Sequence, residues 1–141
     1  MKQHDTNYPQ HIKVDRKIRE QYLIPLKDDE RSPFYKKELG EIYLLCAVYG
    51  LLFEKRLESN DLVDLRTYAK TDDKYKLIIR LIVLESTNYE YEVLFDGTKT
   101  LKIFQDYANG GAKILYDKAL EHPLDKPYAE EIWQKMRADL S

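Results

Sequence analysis

The fold is decided by the stretch ELGEIYLLCAVYGLLF, residues 38–53, which is apolar on nearly every face of a helix. Small and apolar residues repeat at helical spacing along it: Leu39, Ile42, Tyr43, Cys46, Ala47, Gly50 and Phe53. Between them, the apolar surface is widened nearly all the way round by Leu44, Leu45 and Val48. A helix that is apolar on all sides belongs in the interior of a domain. The pattern therefore predicts a central core helix from about Phe34 to about Phe53, with Ser32 and Pro33 at its start.

Two flanking segments also have helical patterns. VDRKIREQYLI, residues 14–24, predicts a short basic helix that Asp15 begins and Pro25 ends. The segment YKLIIRLIVLES, residues 75–86, is rich in β-branched residues and would also suit a buried strand. We favour a helix because the run is long for a strand and follows three capping candidates, Thr71, Asp72 and Asp73, which place acid at the positive end of a helix.

The last third of the chain contains two further patterns. LKIFQDYANGGAKILYDKALEH, residues 101–122, predicts two helices that are separated by a turn at residues 109–111, with one glycine in the left-handed region. PYAEEIWQKMRADLS, residues 127–141, predicts an amphipathic helix with Ile132, Trp133 and Met136 on one side. The whole pattern predicts a mostly α fold, a compact bundle of about five or six helices, with or without a small hairpin.

The chain contains no feature that would divide it into modules. Its 141 residues fit one domain, and no Gly/Ser-rich linker or internal repeat interrupts them. We therefore expect a single domain over residues 1–141. Because the first residues are polar and lack helical periodicity, residues 1–12 are expected to be a loosely ordered leader.

Composition excludes several classes of protein. Lys and Arg total 23 against 25 Asp and Glu, and the net charge of -2 gives no general attraction for nucleic acid. No run approaches the roughly twenty apolar residues that a membrane span requires, so we expect a cytoplasmic protein. The single cysteine, Cys46, lies in the apolar run without a basic neighbour, which favours a small buried hydrophobe over a reactive thiol.

The sequence contains no recognisable catalytic constellation. None of His4, His11 and His122 has a second histidine or a cysteine at metal-ligand spacing, and no phosphate loop or nucleophile elbow is present. The acidic pairs fall in a loop or in the first turns of helices, so a metal-dependent nuclease is the weakest alternative. We predict no catalytic residue, no metal and no cofactor, and therefore a protein that is not an enzyme and acts by binding.

A cluster of basic residues is the best candidate for a contact with a partner or with nucleic acid. Lys13, Arg16, Lys17 and Arg19 lie within seven residues, and helical spacing predicts that the first three share a face. Such a patch could bind DNA phosphates, which makes a small DNA-binding regulator the alternative function. Acidic Asp15 lies among them, however, and a solvated helix face explains such a run more often.

Three stretches taken together have a family resemblance: residues 15–56, LIIRLIVLES at 77–86 and LKIFQDYANGGAKIL at 101–115. They resemble the Dnd system-associated protein 4 family, small proteins that accompany DNA phosphorothioation systems. The positions that match its first element are Pro33, Phe34, Gly50, Lys55 and Arg56, and those that match its last are Tyr107, Ala108, Asn109 and Gly110. The chain departs from the pattern at LLFE, residues 51–54, where the family has a more polar turn with glycine.

The resemblance implies a component of a prokaryotic defence system that modifies DNA with sulfur or restricts unmodified DNA. It assigns no biochemical activity to the subunit. Combined with the missing catalytic residues, it predicts a non-catalytic accessory or adapter protein whose partner is a motor or nuclease protein or its own copy. The motif Tyr107, Ala108, Asn109, Gly110 and Gly111 is expected to have a structural role.

Overall fold

The computed structural model describes residues 7–121 and 134–139, and the mostly helical fold predicted from the sequence is confirmed. Strand β1 is His11–Asp15 and leads directly into helix α1, which consists of an α-helical turn Arg16–Ile18, a π-helical turn Arg19–Leu23 and an α-helical segment Ile24–Asp28. The elements that follow are helix α2 (Leu39–Leu52), strand β2 (Leu62–Thr67), helix α3 (Asp73–Ser86), a 3₁₀ helix (Tyr91–Phe95), helix α4 (Gly97–Tyr116) and a π-helical turn (Asp117–Glu121). No helix in these described ranges is both long and apolar enough to span a bilayer.

Helix α2 lies at the centre of the molecule, as its apolar character predicts. Its residues Ile42, Tyr43 and Cys46 are fully buried, and α4 packs along it with Phe104 and Ala108 equally buried. Such burial on both helices is what makes this pair the core of the fold.

The start of α2 differs from the prediction. The helix begins at Leu39 rather than near Phe34, because the residues before it form turns. The Ser32 hydroxyl oxygen accepts a hydrogen bond from the Phe34 N–H at 3.0 Å, and Lys36 has a left-handed φ of 66°. A right-handed helix cannot continue through that backbone conformation.

Helix α4 runs without interruption where the sequence predicted two helices. Asn109, Gly110 and Gly111 lie inside it, and neither glycine has a positive φ, so the predicted helix-ending turn is wrong. The glycines serve close packing instead. A Cβ atom at Gly111 would overlap the carbonyl oxygen of Cys46 in α2, and one at Gly50 would overlap the carbonyl oxygen of Tyr107 in α4.

The two strands form a small antiparallel sheet on one side of this helix pair. Val14 pairs with Val63 and Ile12 with Arg66, with an irregularity in register after Ile12. Helices α1 and α2 connect the strands, so this is not a tight hairpin. Tyr8 and Ile12 are buried, and the expected loose leader is therefore wrong for residues 7–12, whereas residues 1–6 lie outside the described part.

Helix α1 is capped as predicted but ends later. The Asp15 carboxylate accepts a hydrogen bond from the Ile18 N–H at 2.9 Å. The predicted stop at Pro25 is wrong, because the helix continues to Asp28. A π-helical turn precedes the proline, with the Ile24 N–H donating to the Arg19 carbonyl, and such widened turns accommodate a break in the regular hydrogen-bond pattern.

The other two predicted helices have different outcomes. Helix α3 is confirmed as a helix, and Asp72 caps it by accepting a hydrogen bond from the Tyr75 N–H at 2.8 Å. Residues 134–139 are helical, and the Met136 sulfur lies 3.8 Å from the Tyr49 hydroxyl. Ile132 and Trp133 of the predicted closing helix lie outside the described residues.

Candidate functional site

The four basic candidates do not form one helical face. Lys13 is exposed on β1, whereas Arg16, Lys17 and Arg19 belong to α1, so the predicted sharing of a face by the first three is wrong. The Arg16 guanidinium forms an ion pair with Asp61 at 3.2 Å. Lys13 and Lys17 form no ion pair within the described part of the chain, and they lie on different elements.

The motif of α4 holds strand β1 in place. Gln105 and Asn109, one helical turn apart, direct their side-chain oxygens at alternate residues of the strand. The Lys13 N–H donates to Gln105 Oε1 at 2.8 Å, and the Asp15 N–H donates to Asn109 Oδ1 at 3.1 Å. These two acceptors occupy the edge of β1 that β2 leaves open, as a third strand would.

Tyr43 completes this polar contact from the core helix. Its hydroxyl lies 3.0 Å from both the Lys13 carbonyl and Asn109 Oδ1, and 3.3 Å from the Gln105 carbonyl. Burial raises the pKa of Tyr43 well above its ordinary value, so the hydroxyl keeps its proton and can donate. Three distant segments of sequence therefore meet at one buried set of hydrogen bonds.

Two parts of the family resemblance, the basic turn at Lys55 and Arg56 and the motif around Tyr107 and Gly110, also meet in space. The Arg56 guanidinium lies over the Tyr107 ring at 5.1 Å and forms an ion pair with Asp106 at 3.1 Å. A Cβ atom at Gly110 would overlap the Lys55 carbonyl. The basic turn after α2 is thus packed against the motif in α4, which the sequence did not show.

A groove of about 340 Å³ opens beside this cluster. Its lining comes from β1, the loop before β2 and the first half of α4: Pro9, His11, Lys13, Glu58, Ser59, Asn60, Leu62, Thr98, Leu101, Lys102, Gln105 and Asp106. Lys102 and the buried Asp106 form an ion pair at 2.9 Å, and this hydrogen bond raises the pKa of Lys102. Charges of both signs neutralise one another within the groove, so it offers no strong field for a charged ligand.

The remaining reactive side chains are used by the fold. Cys46 is fully buried, and burial raises the pKa of its thiol far above the usual range, which makes it a poor nucleophile. Asp29 forms an ion pair with Arg31 whose hydrogen bonds lower the pKa of the Asp29 carboxyl to about 2. Within residues 7–121 and 134–139, no three His, Cys, Asp or Glu side chains converge to hold a metal ion.

An exposed apolar surface lies on α3. Leu77 and Leu81, one turn apart, are 52% and 51% exposed, whereas Ile78, Ile79 and Ile82 on the other side of the helix are buried. We call the surface formed by Leu77, Leu81, Glu85 and Tyr89 the α3 stripe. The Tyr89 hydroxyl donates to the Glu85 carboxylate at 2.8 Å, which extends the line of the leucines past the end of the helix.

Sequence reasoning missed the α3 stripe, although its spacing was visible. The residues LIIRLIVL are apolar at almost every position, so periodicity could not show which face the rest of the molecule covers. Tertiary packing against α4 and α2 decides this, because it covers Ile78, Ile79 and Ile82 and leaves Leu77 and Leu81 in contact with water. Exposing these leucines to water costs free energy relative to burying them.

Comparisons with known proteins supply no relative from which a function could be inferred. No protein-family model, no curated protein and no solved structure matches the chain.

Proposed function

We propose that this protein is a cytoplasmic, non-catalytic accessory subunit that acts by binding another protein chain through the α3 stripe. The observation that carries the proposal is the pair of half-exposed leucines, Leu77 and Leu81, on successive turns of a well-formed helix. Apolar residues at this spacing are the anchors by which a helix face docks against a protein surface. Isolated exposed leucines need no such explanation, but aligned ones form a patch.

The interior supports the same proposal. The side-chain oxygens of Gln105, Asn109 and Asp106 hold β1 and the Arg56 turn against α4, because each bonds to another part of this chain. A group used in this way is not available to a substrate without loosening the fold. This supports a function that depends on binding at the surface of the protein.

The biological setting is proposed from the family resemblance alone. A subunit of a DNA phosphorothioation-linked modification or restriction system would explain a small binding protein without chemistry of its own. Deleting the gene should then weaken modification or restriction in the native host. The purified chain alone should neither cleave nor modify DNA, and cleavage by it would refute the non-catalytic role.

The binding surface is tested by replacing both leucines with serine. We expect Leu77→Ser together with Leu81→Ser to reduce recovery of chains that copurify with the tagged protein at least about tenfold, because two central apolar anchors are lost. Recovery is measured by quantitative mass spectrometry after affinity purification from the native host. Leu52→Ser is the matched control, since Leu52 is an exposed leucine at the end of α2. Equal recovery with both variants would exclude the α3 stripe.

A small DNA-binding regulator is the second candidate, favoured by exposed Lys13 and Lys17 without ion pairs in the described part of the chain. If these lysines contact phosphates, Lys13→Glu with Lys17→Glu should abolish DNA retention in a mobility-shift assay. Retention by the unchanged protein should fall steeply as salt rises, because binding releases counterions. Absence of retention at low salt would leave protein binding as the function.

A further inference from the structure

The α3 stripe carries charges of opposite sign at its two ends. At 100° per residue, Lys74 and Glu85 fall on the same flank of the leucine pair, Lys74 near the start of the helix and Glu85 near its end. Both side chains are exposed, and neither forms an ion pair with another described residue. The flank is therefore basic at one end and acidic at the other.

We propose that the partner of the α3 stripe is a second copy of this chain, with the two α3 helices antiparallel about a two-fold axis. The proposal rests on the proposed function and specifies its partner. When the axis passes midway between the leucines, Leu77 of one copy faces Leu81 of the other. Lys74 of one copy then lies within about 1.5 Å, one residue of helical rise, of the level of Glu85 in the other.

The antiparallel direction follows from the charges. In an antiparallel pair of helices related by a two-fold axis, each flank faces the same flank of the other copy. Lys74 of each copy then faces Glu85 of the other, which gives two contacts between opposite charges. In a two-fold parallel pair this flank would instead face the opposite flank of the partner, so Lys74 of one copy would not meet Glu85 of the other. A two-fold interface must be complementary to itself, and in the antiparallel arrangement this flank satisfies that requirement.

The expected dimer is weak. One helix on each side covers less than the roughly 800 Å² per partner of a standard protein interface, so association should depend on concentration. The test is sedimentation equilibrium of the full chain over a wide range of concentrations, and we expect an increase in mean mass from monomer towards dimer.

Charge reversal tests the specific geometry. Lys74→Glu and Glu85→Lys each place like charges at both contacts, and we expect each to raise the dissociation constant about tenfold. An equimolar mixture of the two variants should restore association, because each copy then supplies the charge that the other needs. Lys99→Glu is the control, as it alters an exposed lysine of α4 by the same charge. Circular dichroism verifies that all variants fold.

Three outcomes would overturn the dimer. They are a wild-type chain that stays monomeric at every concentration, a dimer that is indifferent to both charge reversals, and a mixture of variants that does not reassociate. A monomeric chain that still captures another protein only when Leu77 and Leu81 are present would refute the second copy and leave the proposed function standing. Indifference to the leucine substitutions in both assays would refute both proposals.

Discussion

Gly111→Ala is expected to lower the free energy of unfolding by about 2 to 4 kcal/mol, although alanine is the better helix former. The intrinsic gain from replacing glycine within a helix is about 1 kcal/mol. Against it stands the new methyl group, which would overlap the Cys46 carbonyl oxygen and lie 2.5 Å from the Gly50 nitrogen. Both obstacles are backbone atoms of α2, so the two core helices must separate and lose packing along their length.

Urea denaturation followed by circular dichroism measures this loss. Gly40→Ala is the matched control in a helix, because a Cβ atom there would meet the guanidinium of Arg66 at 2.8 Å, the movable end of a flexible side chain. We expect the control to change stability by less than about 1 kcal/mol. If Gly111→Ala were as stable as the wild type, the backbones of α2 and α4 could not lie in direct contact at Gly111.

Asn109→Leu is expected to cost about 2 to 4 kcal/mol and to loosen strand β1. The side chain is 2% exposed, and its oxygen accepts from the Asp15 N–H. Leucine keeps the branched arrangement of four heavy atoms in a larger volume but has no acceptor, which leaves a buried donor unpaired at a cost of about 1 to 3 kcal/mol. Tyr43 would also lose one acceptor, although the Lys13 carbonyl at 3.0 Å remains available to it.

Amide hydrogen exchange separates this effect from a general loss of stability. Exchange at Asp15 should accelerate more than exchange at the buried residues of α2, because the strand edge opens locally. Lys99→Leu, an exposed change on the same helix, should alter neither stability nor exchange at Asp15. Equal acceleration throughout the molecule would show that Asn109 has no specific role in docking β1.

Local patterns were sufficient for some elements and insufficient for others. Asp15 and Asp72, which cap their helices, were both among the candidates, because a cap depends on a side chain and a backbone N–H three residues away. The turn at Gly110 and Gly111 was wrong for the opposite reason. Glycine lacks a Cβ atom, and the same property serves a left-handed turn or a close helix contact, which only the neighbouring helix can distinguish.

The candidate sites also depended on contacts between residues that are distant in sequence. Lys13 was expected to share a face with Arg16 and Lys17, because charge clustering does not reveal that Lys13 lies in a strand, β1, that ends at Asp15. The pairing of that strand with β2, far along the chain, overrides its short helical pattern. The α3 stripe escaped recognition because an almost uniformly apolar segment does not indicate its covered side.

The sequence by itself determined the helical class, the central helix around Cys46 and the helical state of residues 75–86. These follow from periodicity and capping, which act within a few turns of the chain. The tertiary structure decided why Gly50 and Gly111 are glycines, which oxygens cover the edge of β1 and which leucines of α3 face water. Each of these depends on contacts between residues that are distant in sequence, and such contacts form only when the helices pack.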